Sequence, residues 1–174
     1  MKKDKKRICI IGMPGSGKST IGKQLSERLK YSFFDTDEEI EKQEKIKIKD
    51  IFSKKGEDYF RSVETTVFNK LINKNKIVIS TGGGLVIKNL DKLKISFNIY
   101  LYCNLDILTQ RASRNNIRPL LNKDTSLQIK NLFNERKKIY TKAADITINA
   151  NISPKNTINK ILKEINNDNK KVNK

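Results

Sequence analysis

Histidine is absent from these 174 residues. That removes the commonest general base and the commonest transition-metal ligand, so acid-base chemistry has to come from carboxylates, lysine or tyrosine. Cysteine occurs twice, at Cys9 and Cys103, each in or just after an apolar run and neither in a C-x-x-C spacing. Both read as buried structural thiols rather than metal or redox groups. Aromatic residues make up 7% of the chain, and no base-stacking platform stands out. No apolar run approaches the ~18 residues that a membrane-spanning helix needs. The run after the basic start Met1–Arg7 covers only Ile8 to Ile11, too short for a secretory leader. We therefore expect a cytoplasmic protein with no membrane partner. With 36% hydrophobic residues the chain fits one domain over 1–174, residues 1–6 forming a disordered basic arm and 166–174 a frayed tail.

What is in excess is positive charge. Lys and Arg total 37 against 19 acidic residues, a net charge of +18. Such a field favours anionic substrates. The lysines are scattered and no basic recognition helix is visible, so they read as solvated surface and we expect no nucleic-acid partner. An ATP-dependent nucleic-acid-binding protein stays open as an alternative, separable by its salt-sensitive binding.

The organising stretch is Gly12-Met13-Pro14-Gly15-Ser16-Gly17-Lys18-Ser19-Thr20, which fits G-x-x-x-x-G-K-[ST]. It lies between a strand-like apolar run and a helix-like segment, the context the motif requires. Its glycines let successive N–H groups turn inward onto a phosphate, and the following helix adds the positive end of its dipole. Lys18 is placed to reach the terminal phosphates and the Ser19 hydroxyl to hold Mg2+. A nucleoside triphosphate is therefore the expected ligand.

Apolar runs at Ile8–Ile11, Tyr31–Phe34, Ile77–Ser80, Ile99–Cys103 and Ile146–Ile148 alternate with helical patterns at Thr20–Lys30, Ile40–Asn73, Leu105–Ala112, Ser126–Ala143 and from Pro154 to about Ile165. Gly56 is the expected break in the long helical stretch. The alternation predicts an α/β domain with a parallel sheet whose carboxyl-end rim carries the site. About 113–124 is a polar loop of the length that often serves as a lid.

That rim collects the candidates. Asp35 and Asp37 end the second strand; one can face Mg2+ and the other a substrate, while a turn residue and a helix N-cap are their plainer readings. Gly82, Gly83 and Gly84 follow the third strand and argue for close backbone approach to a ligand. Arg118, in the loop, can clamp a transferring phosphoryl group. Arg61 and Arg136 read, on spacing alone, as solvated helix arginines.

Taken in order, the motifs resemble the shikimate kinase family of nucleoside-monophosphate-kinase-like P-loop kinases. The phosphate loop continuing to Ile21-Gly22, Phe34-Asp35-Thr36-Asp37 with Ile40-Glu41, Gly56-Glu57 with Phe60-Arg61 and Glu64, Ser80 to Gly84, Arg111 with Arg118-Pro119-Leu120-Leu121, and Arg136, Tyr140, Ala144 and Asp145 all carry the likeness. The resemblance implies a three-layer sandwich around a five-stranded parallel sheet with a mobile lid. It implies transfer of the ATP γ-phosphoryl group to the 3-hydroxyl of shikimate, in aromatic amino-acid biosynthesis, by a monomer. On matching positions it makes Gly15, Ser16, Gly17, Lys18, Ser19, Thr20, Arg111 and Arg118 the ATP side, with Arg111 near the adenine. Ser19 and Asp35 become the metal side. Asp37, Arg61, Gly82, Gly83, Gly84 and Arg136 become the substrate side, with Asp37, Lys18 and Arg118 catalytic. Lys45 stands where the family usually has glycine. A kinase of the same architecture with another acceptor, or a degenerate inactive kinase, stays open at this level.

Overall fold

Five short strands, β1 (Arg7–Ile11), β2 (Ser32–Asp35), β3 (Ile77–Ser80), β4 (Phe97–Tyr102) and β5 (Ile146–Asn149), pair into one sheet in the order β2-β3-β1-β4-β5. Every pairing is parallel. The computed structural model describes residues 5–115 and 125–170. Side chains alternate across the sheet, and both faces are covered. Cys9, Ile11, Ile77, Ile79 and Tyr100 enter one core, while Ile8, Ile10, Val78, Ile99 and Leu101 enter the other. This is why β1 and β3 are apolar at consecutive positions rather than at alternate ones.

Helices α1 (Lys18–Leu29) and α7 (Pro154–Lys170) cover the second core through Ile21, Leu25, Ile158, Ile161 and Ile165. Helices α2 (Thr36–Glu44), α3 (Ile48–Ile72), the short α4 (Leu85–Lys88), α5 (Leu105–Asn115) and α6 (Thr125–Ala143) lie on the first. A 3-10 turn spans Lys92–Ile95. The helix over 48–72 breaks at Gly56, whose φ of 80° and ψ of 172° are non-helical. The three-layer arrangement agrees with the sequence reading.

Three boundaries differ from it. Residues 85–95, left without an element, form α4 and the 3-10 turn. Helix α7 runs on to Lys170 rather than ending near Ile165, because extending a helix docked by its first turns costs far less than nucleating one. Lys5 and Lys6, assigned to the arm, belong to the body: Lys5 Nζ donates to the Ile165 carbonyl at 2.6 Å, and the Lys6 carbonyl accepts from Ile77 N–H at 2.9 Å. Of the expected lid, residues 113–115 close α5, and 116–124, including Arg118, lie outside the described residues.

Lys45 ends α2 in the left-handed conformation, with φ 59° and ψ 19°, its N–H capping the Glu41 carbonyl. A side chain there is strained by about 1–2 kcal/mol, and a glycine would relieve it while losing some entropy in the unfolded chain. Glu41 holds the junction from the other side, accepting from Ile48 N–H at 3.0 Å and from Lys47 Nζ at 2.8 Å. Lys45→Gly is therefore expected to stabilise the protein by about 0.5–1 kcal/mol, read as a rise in Tm of about 2 °C; an unchanged or lower Tm would show that the strain is absent.

Candidate active site

The strand order sets which loops meet. Ile10 and Asp35 both pair with Ser80, so the ends of β1, β2 and β3 lie side by side on one rim. The phosphate loop leaves β1, the Asp35–Asp37 strap leaves β2, and the glycine turn leaves β3.

The phosphate loop is shaped by left-handed glycines, Gly15 at φ 79° and Gly17 at φ 94°, and Gly17 stands as the N-cap of α1. Gly12, at φ 145°, lies so near its neighbours that a Cβ would sit 2.8 Å from the Leu101 carbonyl oxygen. Lys18 is buried, and its ammonium donates to the Met13 carbonyl at 2.9 Å across the loop. Ser16 Oγ is buried and has no hydrogen-bond partner among the described residues. Thr20 is exposed on the first turn of α1. Arg111, from α5, reaches the same loop and donates to the Gly15 carbonyl at 3.1 Å.

Asp35 joins two motifs. Its Oδ1 accepts from Asp37 N–H at 3.0 Å, capping α2, and its Oδ2 accepts from Ser19 Oγ at 2.6 Å. The N-cap is thus Asp35, and Asp37 sits inside the first turn. Ser80 Oγ lies 3.4 Å from Ser19 Oγ. Two hydroxyls and one carboxylate make a hard-oxygen donor set of the kind that suits Mg2+.

The glycine turn is ringed by charge. A Cβ on Gly82 would lie 2.7 Å from Asp37 Oδ1 and 2.9 Å from Glu64 Oε1. One on Gly84 would lie 2.6 Å from Arg61 Nη1, and one on Gly83 would lie 3.0 Å from Pro14 Cδ and 3.4 Å from Arg136 Nη1. Asp37, Arg61 and Arg136 therefore meet at one turn, and that turn abuts the phosphate loop. Arg61 is held on two sides, by Glu64 at 2.8 Å and by Glu57 at 3.1 Å. Burial pulls its pKa down, but the neighbouring Glu64 and Glu57 outweigh that and leave it above its ordinary value, so the guanidinium stays charged. Arg136 Nε is buried with no hydrogen-bond partner among the described residues.

A family model described as Shikimate kinase matches residues 14–166. The chain belongs to the shikimate kinase family. A shikimate kinase from Persephonella marina is 43% identical over 164 residues, covering 92% of this chain and 99% of its own length. One from Clostridium botulinum is 46% identical over 149 residues, covering 83% and 88%. The solved shikimate kinase from Acinetobacter baumannii in complex with shikimate matches with a TM-score of 0.89 at 35% identity, covering 92% of this chain and 93% of that one.

Within this family frame, four residues stand at the site that sequence reading left without a role. Thr36 Oγ1 accepts from Gly82 N–H at 2.7 Å, Tyr140 OH donates to the Gly83 carbonyl at 2.5 Å, Glu64 pairs with Arg61, and Ser80 flanks Ser19. Each stands inside a motif that carries the family likeness, one to four residues from a candidate, but nothing in the sequence assigns it a role of its own. Gly84 has an ordinary φ of −94°, and its Cβ meets the Arg61 guanidinium, which can yield only by loosening its pairing with Glu57 and Glu64. Gly84→Ala is therefore expected to cost about 1 kcal/mol, and Gly12→Ala, strained at φ and set against backbone, more than about 2 kcal/mol. Thermal melts compare them; equal losses would mean that the Gly84 contact cannot yield.

Proposed function

We propose that this chain is a shikimate kinase, transferring the γ-phosphoryl group of ATP to the 3-hydroxyl of shikimate to give shikimate 3-phosphate, on the route to chorismate and the aromatic amino acids. The observation that carries the reading is the contact of the Gly82–Gly84 turn with Pro14 of the phosphate loop, with Asp37, Arg61 and Arg136 packed around that same turn. Two guanidinium groups suit one planar carboxylate, because each offers a fork of donors. A carboxylate beside them suits hydroxyls. The relative solved with shikimate supports the same acceptor. We read the protein as a monomer of the cytoplasm, with ATP and shikimate as its partners; among the described residues no helix is long and apolar enough to cross a membrane.

The chemistry is in-line transfer with positioning and charge neutralisation as its means. Lys18 leaves the Met13 carbonyl for the β- and γ-phosphates, and the N–H groups of Gly15, Ser16, Gly17 and Thr20 wrap the remaining oxygens. Arg111, resting on Gly15, lies at the adenine end. Ser19 and Asp35 would hold Mg2+, which would neutralise phosphate charge. Arg61, Arg136 and the glycine backbone hold the carboxylate. Asp37 accepts the proton of the attacking hydroxyl. By family likeness Arg118, which lies outside the described residues, would neutralise charge on the transferring group.

Asp37→Asn is expected to lower kcat at least about a hundredfold with KM for ATP unchanged; near-normal turnover removes the base assignment. Because Glu64 is buried beside Arg61, Arg61→Lys is the cleaner test of the clamp, since it keeps a cation there and removes the fork. It should raise KM for shikimate about tenfold and KM for ATP less than about twofold, and Gly84→Ala should act in the same direction by displacing Arg61. Equal rises for both substrates argue against a carboxylate clamp. ADP release measured side by side with shikimate, gluconate and nucleoside monophosphates tests the acceptor itself; a faster reaction with either of the latter overturns it.

A further inference from the structure

The glycine turn is fixed from several sides. Thr81 donates from both N–H and Oγ1 to the Ile10 carbonyl, at 3.1 Å each. Leu85 N–H closes onto the Gly82 carbonyl at 3.2 Å, and Tyr140 OH holds the Gly83 carbonyl. The strap from Asp35 to Asp37 is anchored at its first residue, where Asp35 accepts from Ser19 Oγ and from Asp37 N–H. It leaves the sheet at Asp35, the last ladder position opposite Ser80, and turns at once into α2. One residue then spans the gap between strap and turn. Thr36 is fully buried, and its Oγ1 accepts the Gly82 N–H at 2.7 Å. The next side chain, Asp37, occupies the space a Gly82 side chain would need, its Oδ1 lying 2.7 Å from where that Cβ would sit.

We propose that Thr36 is a positioning residue that sets the separation between the Asp37 carboxylate and the carboxylate-holding turn at Gly82–Gly84, and through it the fit of an acceptor that carries a hydroxyl at one end and an acid at the other. Being buried, Thr36 touches no substrate and acts through its two neighbours. Valine has its shape but cannot accept the hydrogen bond, and its methyl cannot sit 2.7 Å from the Gly82 nitrogen as the hydroxyl does, so the strap would move away and leave the N–H unpaired. A shift of a fraction of an ångström at a reacting pair costs rate steeply, about a hundredfold for 1 Å. The nucleotide half touches the strap through Asp35, which is anchored separately from Thr36 by its ladder position opposite Ser80 and by the Ser19 hydroxyl, so the displacement falls mainly on Asp37. The proposal rests on the reading of Asp37 and the glycine turn as the acceptor side.

The test is steady-state kinetics of the full chain carrying Thr36→Val, Thr36→Ser and Asp37→Asn. Thr36→Val should lower kcat/KM for shikimate about tenfold or more while KM for ATP moves less than about twofold. Thr36→Ser, which keeps the hydroxyl, should stay within about threefold of the parent. Normal shikimate kinetics in Thr36→Val, an equal rise in both KM values, or a serine variant as impaired as the valine one overturns the proposal. If Thr36→Val does not fold, Thr36→Ala against Thr36→Ser, differing only in the hydroxyl, reads the same ratio. An inactive Asp37→Asn beside a normal Thr36→Val defeats this proposal alone, whereas a fully active Asp37→Asn defeats the acceptor-side reading beneath it.

Discussion

The absence of side chains at Gly82, Gly83 and Gly84 is the constraint on which the site depends. Two carboxylates, two guanidinium groups and the ring of Pro14 approach this one turn to distances at which a Cβ would have no room or little. Glycine costs conformational entropy in such a place, and what it returns is proximity of opposite charges in a partly dry environment. Arg61 illustrates the balance. Burial alone would weaken its charged state, and the flanking Glu57 and Glu64 restore it. The cation is thereby kept ionised and aimed before any ligand arrives, so less reorganisation is left for binding.

Topology brings the two halves together. With β1 central and β3 beside it, the loops after these strands are neighbours, and β2 on the outer flank delivers its acids to the same rim. Ligands of open parallel sheets gather at such carboxyl ends. The link from Ser19 to Asp35 is therefore a contact between motifs 16 residues apart in the chain, made adjacent by strand order. The T-shaped pair of Tyr100 and Tyr102 and the packing of Tyr100 on Tyr140 carry the far side, where α6 meets β4.

Much of this was legible from local pattern. The phosphate loop, the continuous apolar β1 and β3, the break at Gly56 and the helix start at Pro154 each follow from residues next to one another. Residues 85–95 were not, because a one-turn helix and a 3-10 turn carry too few positions to show a period. Arg61 and Arg136 resembled solvated helix residues because nothing within a turn of either reports that the glycine turn lies opposite; only likeness to a family separated them from the other basic residues. Thr36 and Tyr140 stood inside quoted motifs, but nothing local named their partners, which lie 46 and 57 residues away. Local sequence encodes elements well, and it encodes a hydrogen bond across the sheet rim hardly at all.

The bond from Lys18 to the Met13 carbonyl gives the phosphate loop a threshold. The ammonium already has an acceptor at 2.9 Å, so an incoming anion does not fill a gap but competes with one. A neutral oxygen gains little by the exchange. A phosphate gains more, because its full negative charge adds a Coulomb attraction to the ammonium that a neutral carbonyl cannot supply. The loop thus discriminates by charge density before shape is consulted, and in a chain with a net charge of +18, which draws anions of every kind towards its surface, such a filter separates arrival from occupancy.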